Sequence, residues 1–336
     1  MKKYKNILII KMSSLGDVVH ALPTLAALRH NCPQANITWA IHKQFADILP
    51  GKPWLDDVIF IDKHKLTSIS YIKTLWKDLH ACHFDMTLDL QCLAKSAIVS
   101  WCSGAKEKYG YWELREGSRF INTPLIGPHK YDHVIERYLD TVRVLGGVVD
   151  DIEFPLPYYE AAAQHVHELL SVRSSQHDSY IVVAPGARWT VKEWPVDSFS
   201  ALCKRLCLDN RKVVLIGAAD DIPKGAIIEK AVCHSNLINL IGQTTMPELI
   251  ELIRICDLYI SADTGPLHIA NALKKPLIAL FGTTSPERTG PYGGNHIHLI
   301  VSPTSAATPK KPLVNDTECM KQITIDDVWN MYEHIL

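Results

Sequence analysis

Asn6-Ile7-Leu8-Ile9-Ile10-Lys11-Met12-Ser13-Ser14-Leu15-Gly16-Asp17 sets a short apolar run against a small polar turn, and a helical pattern follows it. A run this short, succeeded by a helix rather than a hairpin, reads as a buried strand of a parallel sheet. The rhythm continues outward. Strand candidates at Ile7–Lys11, Asn36–Ile41, Val58–Asp62 and Met86–Leu90 alternate with helical patterns at Ala21–His30, Gln44–Leu49 and Ser68–Cys82. Such connections are too long for hairpins and predict a sheet covered on both faces.

A helix at about Tyr131–Leu145 ends at Gly146-Gly147, and Phe154-Pro155-Leu156-Pro157 then reads as a linker. The alternation restarts beyond it. Strands at Tyr180–Ala184, Lys212–Ile216, Leu237–Leu240, Leu258–Ser261 and Leu277–Phe281 interleave with helices at Val196–Leu208, Pro223–Val232, Met246–Ile255 and Pro266–Leu273. Ser302–Pro312 reads as a loop, and a helix at Ile325–Ile335 follows a Thr324 cap. The expectation is two doubly wound α/β domains, 1–157 and 158–336, with the last helix able to return to the first. Ligands are then expected in the cleft between the carboxyl ends of the two sets of strands.

Bulk properties agree with a large folded core. The 336 residues are 47% hydrophobic and 21% charged, and 35 Lys and Arg balance 36 Asp and Glu, which gives no reason to expect a nucleic-acid partner. The apolar run Ile7–Ile10 is too short for an export signal, which needs roughly 7–15 apolar residues. No stretch reaches the roughly 18–20 of a membrane span, so a cytoplasmic protein is expected. Nine cysteines suit a reducing compartment. Cys203 and Cys207 stand one helical turn apart without a second metal-ligand pair, so they read as core rather than as a metal site.

Five strand-end loops hold the polar residues. In the first, Ser14 and Gly16 lead to Asp17, a residue that by itself reads first as a helix cap and second as a general base for a hydroxyl. The second is Ser261-Ala262-Asp263-Thr264-Gly265-Pro266-Leu267-His268, opening a helix with Pro266 at its first position. It offers a carboxylate, a hydroxyl and a histidine beside helix amides that suit a diphosphate. Phe281-Gly282-Thr283-Thr284-Ser285 is a third. A fourth, Pro185-Gly186-Ala187-Arg188-Trp189, leads to Lys192, a point charge suited to a departing diphosphate. The fifth, Gly217-Ala218-Ala219-Asp220-Asp221, offers a carboxylate to ribose hydroxyls. No single unit carries the dinucleotide fingerprint of a dehydrogenase. The first half also concentrates Lys63, Lys65, Lys95, Arg115, Arg119, Lys130, His133 and Arg137, as an anionic acceptor requires.

Taken together, Lys11 to Pro23, Asp89 to Ser96, the Asp263-Thr264-Gly265-Pro266-Leu267-His268 loop, and Cys319-Met320 to Val328 resemble the bacterial lipopolysaccharide heptosyltransferases, glycosyltransferase family nine, nearest to the heptosyltransferase I branch. The resemblance implies a GT-B fold, an ADP-heptose donor, and a Kdo-bearing lipid A acceptor at the inner-membrane surface. It also implies inversion without metal or other cofactor. It makes Asp17 the base and Lys192 the phosphate-holding lysine. Ala187, Arg188, Asp220, Asp263, Thr264, Gly265 and His268 complete the donor set. Ser14, Gly16, Lys95, Arg115, His133 and Arg137 fall on the acceptor side, with Trp101 and Trp112 as further candidates for the membrane surface. Two departures lie on that same side. Cys92 stands where the family usually has Gly, and Lys63-His64-Lys65 stands where a denser arginine cluster is expected. A nucleotide-sugar epimerase and a non-catalytic nucleotide- or polyanion-binding module are the rival readings.

Overall fold

The computed structural model describes residues 1–171, 179–303 and 318–335. It divides into two compact units, Met1–Pro157 and Tyr158–Leu336. The loop expected at Ser302–Pro312 falls, beyond Pro303, outside the described residues.

In the first unit six parallel strands, β1 (Asn6–Ile10), β2 (Asn36–Ile41), β3 (Asp57–Phe60), β4 (Met86–Asp89), β5 (Glu107–Tyr111) and β6 (Thr123–Leu125), lie in the order β3-β2-β1-β4-β5-β6. Helices α1 (Leu15–Asn31), α2 (Ile69–His80), α3 (Ala94–Cys102) and α4 (Val134–Val144) connect and cover them. Ile7, Leu8, Ile9 and Ile10 are fully buried, as a strand covered on both faces requires. The stretch Gln44–Leu49, expected to be helical, is a short 3-10 segment over Lys43–Ile48. The first helix begins six residues earlier than its apolar pattern suggests and carries Pro23 inside it. Its start is set by Ser14 and Asp17, not by the proline. α4 ends at Gly146, whose φ of +80° is a left-handed conformation that glycine adopts without a side-chain clash.

The second unit begins with α5 (Glu160–Ser171) and continues with β7 (Tyr180–Ala184), α6 (Val196–Leu208), β8 (Lys212–Leu215), α7 (Ile222–Val232), β9 (Leu237–Asn239), α8 (Met246–Ile255), β10 (Leu258–Ala262), α9 (Gly265–Ala272), β11 (Leu277–Phe281), α10 (Pro286–Thr289), β12 (Ile297–Val301), α11 (Glu318–Lys321) and α12 (Ile325–Ile335). Its strands are parallel in the order β12-β11-β10-β7-β8-β9. Read from the other edge, this is the order of the first sheet. Each sheet therefore reverses direction between its first and fourth strands, β1/β4 and β7/β10, where open α/β sheets place ligands beyond the carboxyl ends. α12 starts at a Thr324/Asp327 capping box and buries Val328, Trp329 and Tyr332 with the core of the second unit. Cys203 and Cys207 lie in that core too, and burial pushes the Cys207 thiol up to about 11. A thiol held protonated is a poor metal ligand.

Candidate active site

At the first switch point β1 gives way to Lys11, and the chain turns through a cis Ser13–Ser14 peptide into α1. Ser14 is the N-cap. Its backbone N–H and hydroxyl both donate to Asp17 Oδ2, at 3.0 and 2.6 Å. Asp17 is therefore the third residue of the helix, not its cap, and Gly16 is a buried helical residue rather than a turn. The Ser-x-x-Asp spacing carried this information. The Asp17 side chain remains 42% exposed.

The turn is clamped from the neighbouring strand end. The N–H groups of Met12 and Ser13 donate to Gln91 Oε1 at 3.1 and 3.2 Å. Behind them Asp89, fully buried, accepts from the N–H groups of Gln91 and Cys92, from Ser96 Oγ and from Asn122 Nδ2, at 2.8–2.9 Å. Burial pushes its carboxyl up to about 6 although the Cys92, Ser96 and Gln91 donors pull the other way. Cys92 has a φ of +55°, the region that costs a side-chain-bearing residue roughly 1–2 kcal/mol. Glycine would be at ease there, a physical reason for the family's usual residue; nothing in the structure explains why this chain carries Cys instead.

The acceptor-side candidates separate by their contacts. Arg115 is exposed in the turn after β5, its N–H bonded to Cys92 O at 3.0 Å. Lys95 is exposed on the first turn of α3. His133, by contrast, is buried. It caps α4, accepting from Ile135 N–H at 3.3 Å, and its ring meets that of His20 edge-on at 5.6 Å. Arg137 is also buried. It donates to Asp132 O at 2.6 Å and Tyr131 O at 3.1 Å, with Glu113 at 3.8 Å. These contacts hold the segment before α4 in place. Lys65 faces Asp62 at 3.4 Å, and Lys130 lies over the rings of Trp112 and Tyr131 at 4.8 and 5.2 Å.

At the second switch point the structure joins residues 71 positions apart. Lys192, closing a 3-10 turn after β7, reaches Asp263 Oδ2 at 2.5 Å. Thr284 Oγ donates to the same oxygen at 2.8 Å, and His268 Nε2 lies 3.7 Å from Oδ1. Burial opposes the charge on Asp263, but the nearby His268 ring and the charge and hydrogen bond of Lys192 outweigh it. Its carboxyl is held well below the usual carboxylate range. Thr264 is the N-cap of α9, with Gly265 first in the helix and Pro266 second, one place later than expected. The residue that Lys192 reaches thus directly precedes the N-cap of α9, whose first amides have no partner within the helix.

A second ionic knot lies behind Lys192, and the sequence did not signal it. Lys224 Nζ binds Glu193 Oε1 at 2.5 Å and Asp221 Oδ1 at 2.9 Å, while Asp221 Oδ2 accepts the Ala218 N–H at 3.2 Å. The Ala187 N–H points to the same Glu193 oxygen at 3.4 Å. A Cβ on Gly186 would meet the Asp221 carboxylate at 2.1 Å, so the loops after β7 and β8 approach one another only because residue 186 is glycine. Asp221 is consumed in this knot, whereas Asp220 and Arg188 are exposed at the loop surfaces.

Each switch point thus carries ionisable side chains, a Lys192–Asp263–His268 cluster at the second and the Asp17 carboxylate at the first. The model of glycosyltransferase family 9 (heptosyltransferase) matches residues 72–320. The chain belongs to this family. Lipopolysaccharide core heptosyltransferase OpsX of Haemophilus influenzae is 27% identical over 89% of this chain and 84% of its own length. Among solved structures, a family 9 glycosyltransferase of Veillonella parvula has a TM-score of 0.88 at 22% identity, covering 100% of this chain and 98% of its own. The Escherichia coli heptosyltransferase WaaC with ADP-2-deoxy-2-fluoro heptose has a TM-score of 0.77 at 21% identity, over 98% of this chain and 100% of its own. The fold of this family 9 chain is GT-B, with two Rossmann-like units. Among its described residues no helix is long and apolar enough to cross a membrane.

The Asp263 carboxyl gives the family 9 fold a pH signature. Its pKa is depressed on folding, so its stabilisation is complete above about pH 4, near its unfolded value, and declines as pH falls below that. Thermal unfolding of the free protein is expected to move to lower temperature between pH 5 and pH 3. Asp263→Asn is expected to make that decline shallower, leaving the share of other depressed carboxyls such as Asp56. Melting curves of both proteins across this range measure the difference, and equal slopes would remove Asp263 as a contributor.

Proposed function

We propose that this chain transfers heptose from ADP-heptose to the Kdo-bearing inner core on lipid A, as a heptosyltransferase I-type enzyme, with inversion and without a metal. The observation that carries the reading is the Lys192–Asp263–His268 cluster at the start of α9. It brings an ammonium, a carboxylate and an imidazole together at the N-terminal end of α9, in a chain whose family relatives include an enzyme solved with an ADP-heptose analogue. In this reading the acceptor hydroxyl loses its proton to Asp17. Its oxygen attacks the anomeric carbon, and the bond to the diphosphate breaks on the opposite face. The charge that develops on the leaving ADP is met by Lys192 and the first amides of α9. Lys192 is already paired, so an arriving diphosphate competes with Asp263 for it. Asp220 is the ribose partner in this scheme, and Ala187 and Arg188 flank the phosphates. Arg115 and Lys95 offer exposed cations to the anionic acceptor. A cytoplasmic enzyme resting on the inner-membrane surface, where that acceptor lies, fits the same reading.

Incubating the pure protein with ADP-heptose and heptose-less lipopolysaccharide tests it. The expected result is a heptose added to the inner core and stoichiometric ADP. Conversion of the sugar nucleotide without acceptor would instead make the protein an epimerase, and saturable binding with no turnover would make it a binding module. Transfer only to cores that already bear heptose would move it to another heptosyltransferase class.

A further inference from the structure

Lys11 places a charge where the strand pattern calls for an apolar residue. It is 3% exposed at the end of β1, and an ammonium so buried needs partners to offset its lost hydration. It has them on three elements. Nζ donates to Leu90 O beyond β4 at 3.0 Å and to the Tyr138 hydroxyl on α4 at 2.8 Å. Its third neighbour is Asp17 Oδ1 on α1, at 3.8 Å. Tyr138 is itself fixed, buried and edge-on to Tyr111 with ring centres 5.0 Å apart. The geometry leaves Lys11 little freedom. Asp17 meanwhile has Oδ2 pinned by both donors of Ser14, which leaves Oδ1 on the side of the lysine.

Other ionisable groups face this corner. They are His20 on α1, Asp89 at the end of β4, Cys92 beyond it, Tyr111 at the end of β5, Glu113 and Arg115 after it, His133 at the cap of α4, and Arg137 and Tyr138 on α4. Asp89 is taken up by its four donors, Glu113 lies against Arg137, and the rings of His20 and His133 face one another. Arg115 and Glu113 act on Tyr138 with opposite sign.

We propose that Lys11 is a positioning residue for the Asp17 base: its buried charge keeps the carboxylate ionised and in place, and so sets the pH above which transfer runs. The proposal rests on Asp17 being the base. The proton that moves passes from the acceptor hydroxyl to Asp17.

Lys11→Gln retains a donor for Leu90 O and Tyr138 but deletes the charge, whereas Lys11→Arg retains the charge. A unit charge at this distance, screened much as in water, is worth about one pKa unit. In Lys11→Gln the acid limb of kcat/KM against pH is expected to rise by about one unit. The Asp17 carboxyl carbon, followed by nuclear magnetic resonance and assigned by its loss in Asp17→Asn, should titrate upward with it. Lys11→Arg should leave both near their native positions. A purely structural role would lower the plateau without moving the limb, and an unmoved Asp17 titration in Lys11→Gln overturns the proposal. Should that variant fail to fold, the native chain still decides. An Asp17 titration at or above the ordinary value of about 3.9 sinks the idea without any substitution. Near-native turnover in Asp17→Asn would instead remove the base reading itself, an outcome distinct from the others.

Discussion

Asp17→Asn is expected to lower kcat by about 10²–10⁴-fold while the protein stays folded and still binds ADP-heptose. The amide is nearly isosteric with the carboxylate, and its oxygen can still accept from the Ser14 N–H and hydroxyl that now reach Oδ2. What it cannot do is take a proton from a hydroxyl at neutral pH. Two small stability losses accompany the change. A negative charge near the start of α1 disappears, worth roughly 0.3–1 kcal/mol at an exposed position, and Lys11 loses a counter-charge at 3.8 Å. The residues assigned to the donor belong to the second unit's loops, so the affinity for ADP should be unchanged. Steady-state transfer, ADP titration calorimetry and a melting curve on the same sample separate these effects. Turnover within a few-fold of native would mean that another group takes the proton.

Lys192→Ala should be the second large effect, and a double one. The ammonium is the cation placed beside the opening of α9, and removing an electrostatic partner of a developing charge typically costs about 10²–10³-fold in kcat. The same substitution leaves Asp263, 9% exposed in its side chain, without its 2.5 Å partner. Breaking a buried pair from one side costs about 3–5 kcal/mol when the remaining charge has no other donors. Thr284 and His268 still face Asp263, so the loss should fall at or below the lower end of that range. Lys192→Ala/Asp263→Asn is the discriminating companion. It should recover much of the stability and none of the rate. If the double variant regained activity, Lys192 would be a structural partner of Asp263 and not a phosphate ligand.

Much of this was legible beforehand because strands and helices leave different periods in the sequence. The β1 run, the restart after Pro157 and the loops at Asp17 and Asp263 are local patterns. Short, less apolar elements were harder to see. β5, β6, α3, α5 and β12 leave no clear pattern because they expose much of their surface or mix polar and apolar residues without a clean period, as the half-exposed β12 illustrates. The apolar pattern of α1 starts only at Ala21, whereas its first turn is fixed by the Ser14-x-x-Asp17 spacing. Arg137 and His133 have the charge and chemistry an anionic ligand calls for, yet both are buried, Arg137 against Asp132, Tyr131 and Glu113 and His133 against Ile135 and His20. Charge type is visible in a sequence, but what already neutralises it is not.

By itself, the sequence determined the alternation of strand and helix, the two α/β units and the strand-end position of every loop carrying chemistry. These follow from nearest-neighbour patterning, in which burial repeats with the period of the local backbone. Tertiary structure alone decided which distant residues became partners. The pairing of Lys192 with Asp263, the Glu193–Lys224–Asp221 knot and the reach of Lys11 to Tyr138 each depend on strand order. Parallel sheets bring the ends of non-consecutive strands together at the switch points. An ion pair across such a junction leaves no spacing in the chain by which to read it.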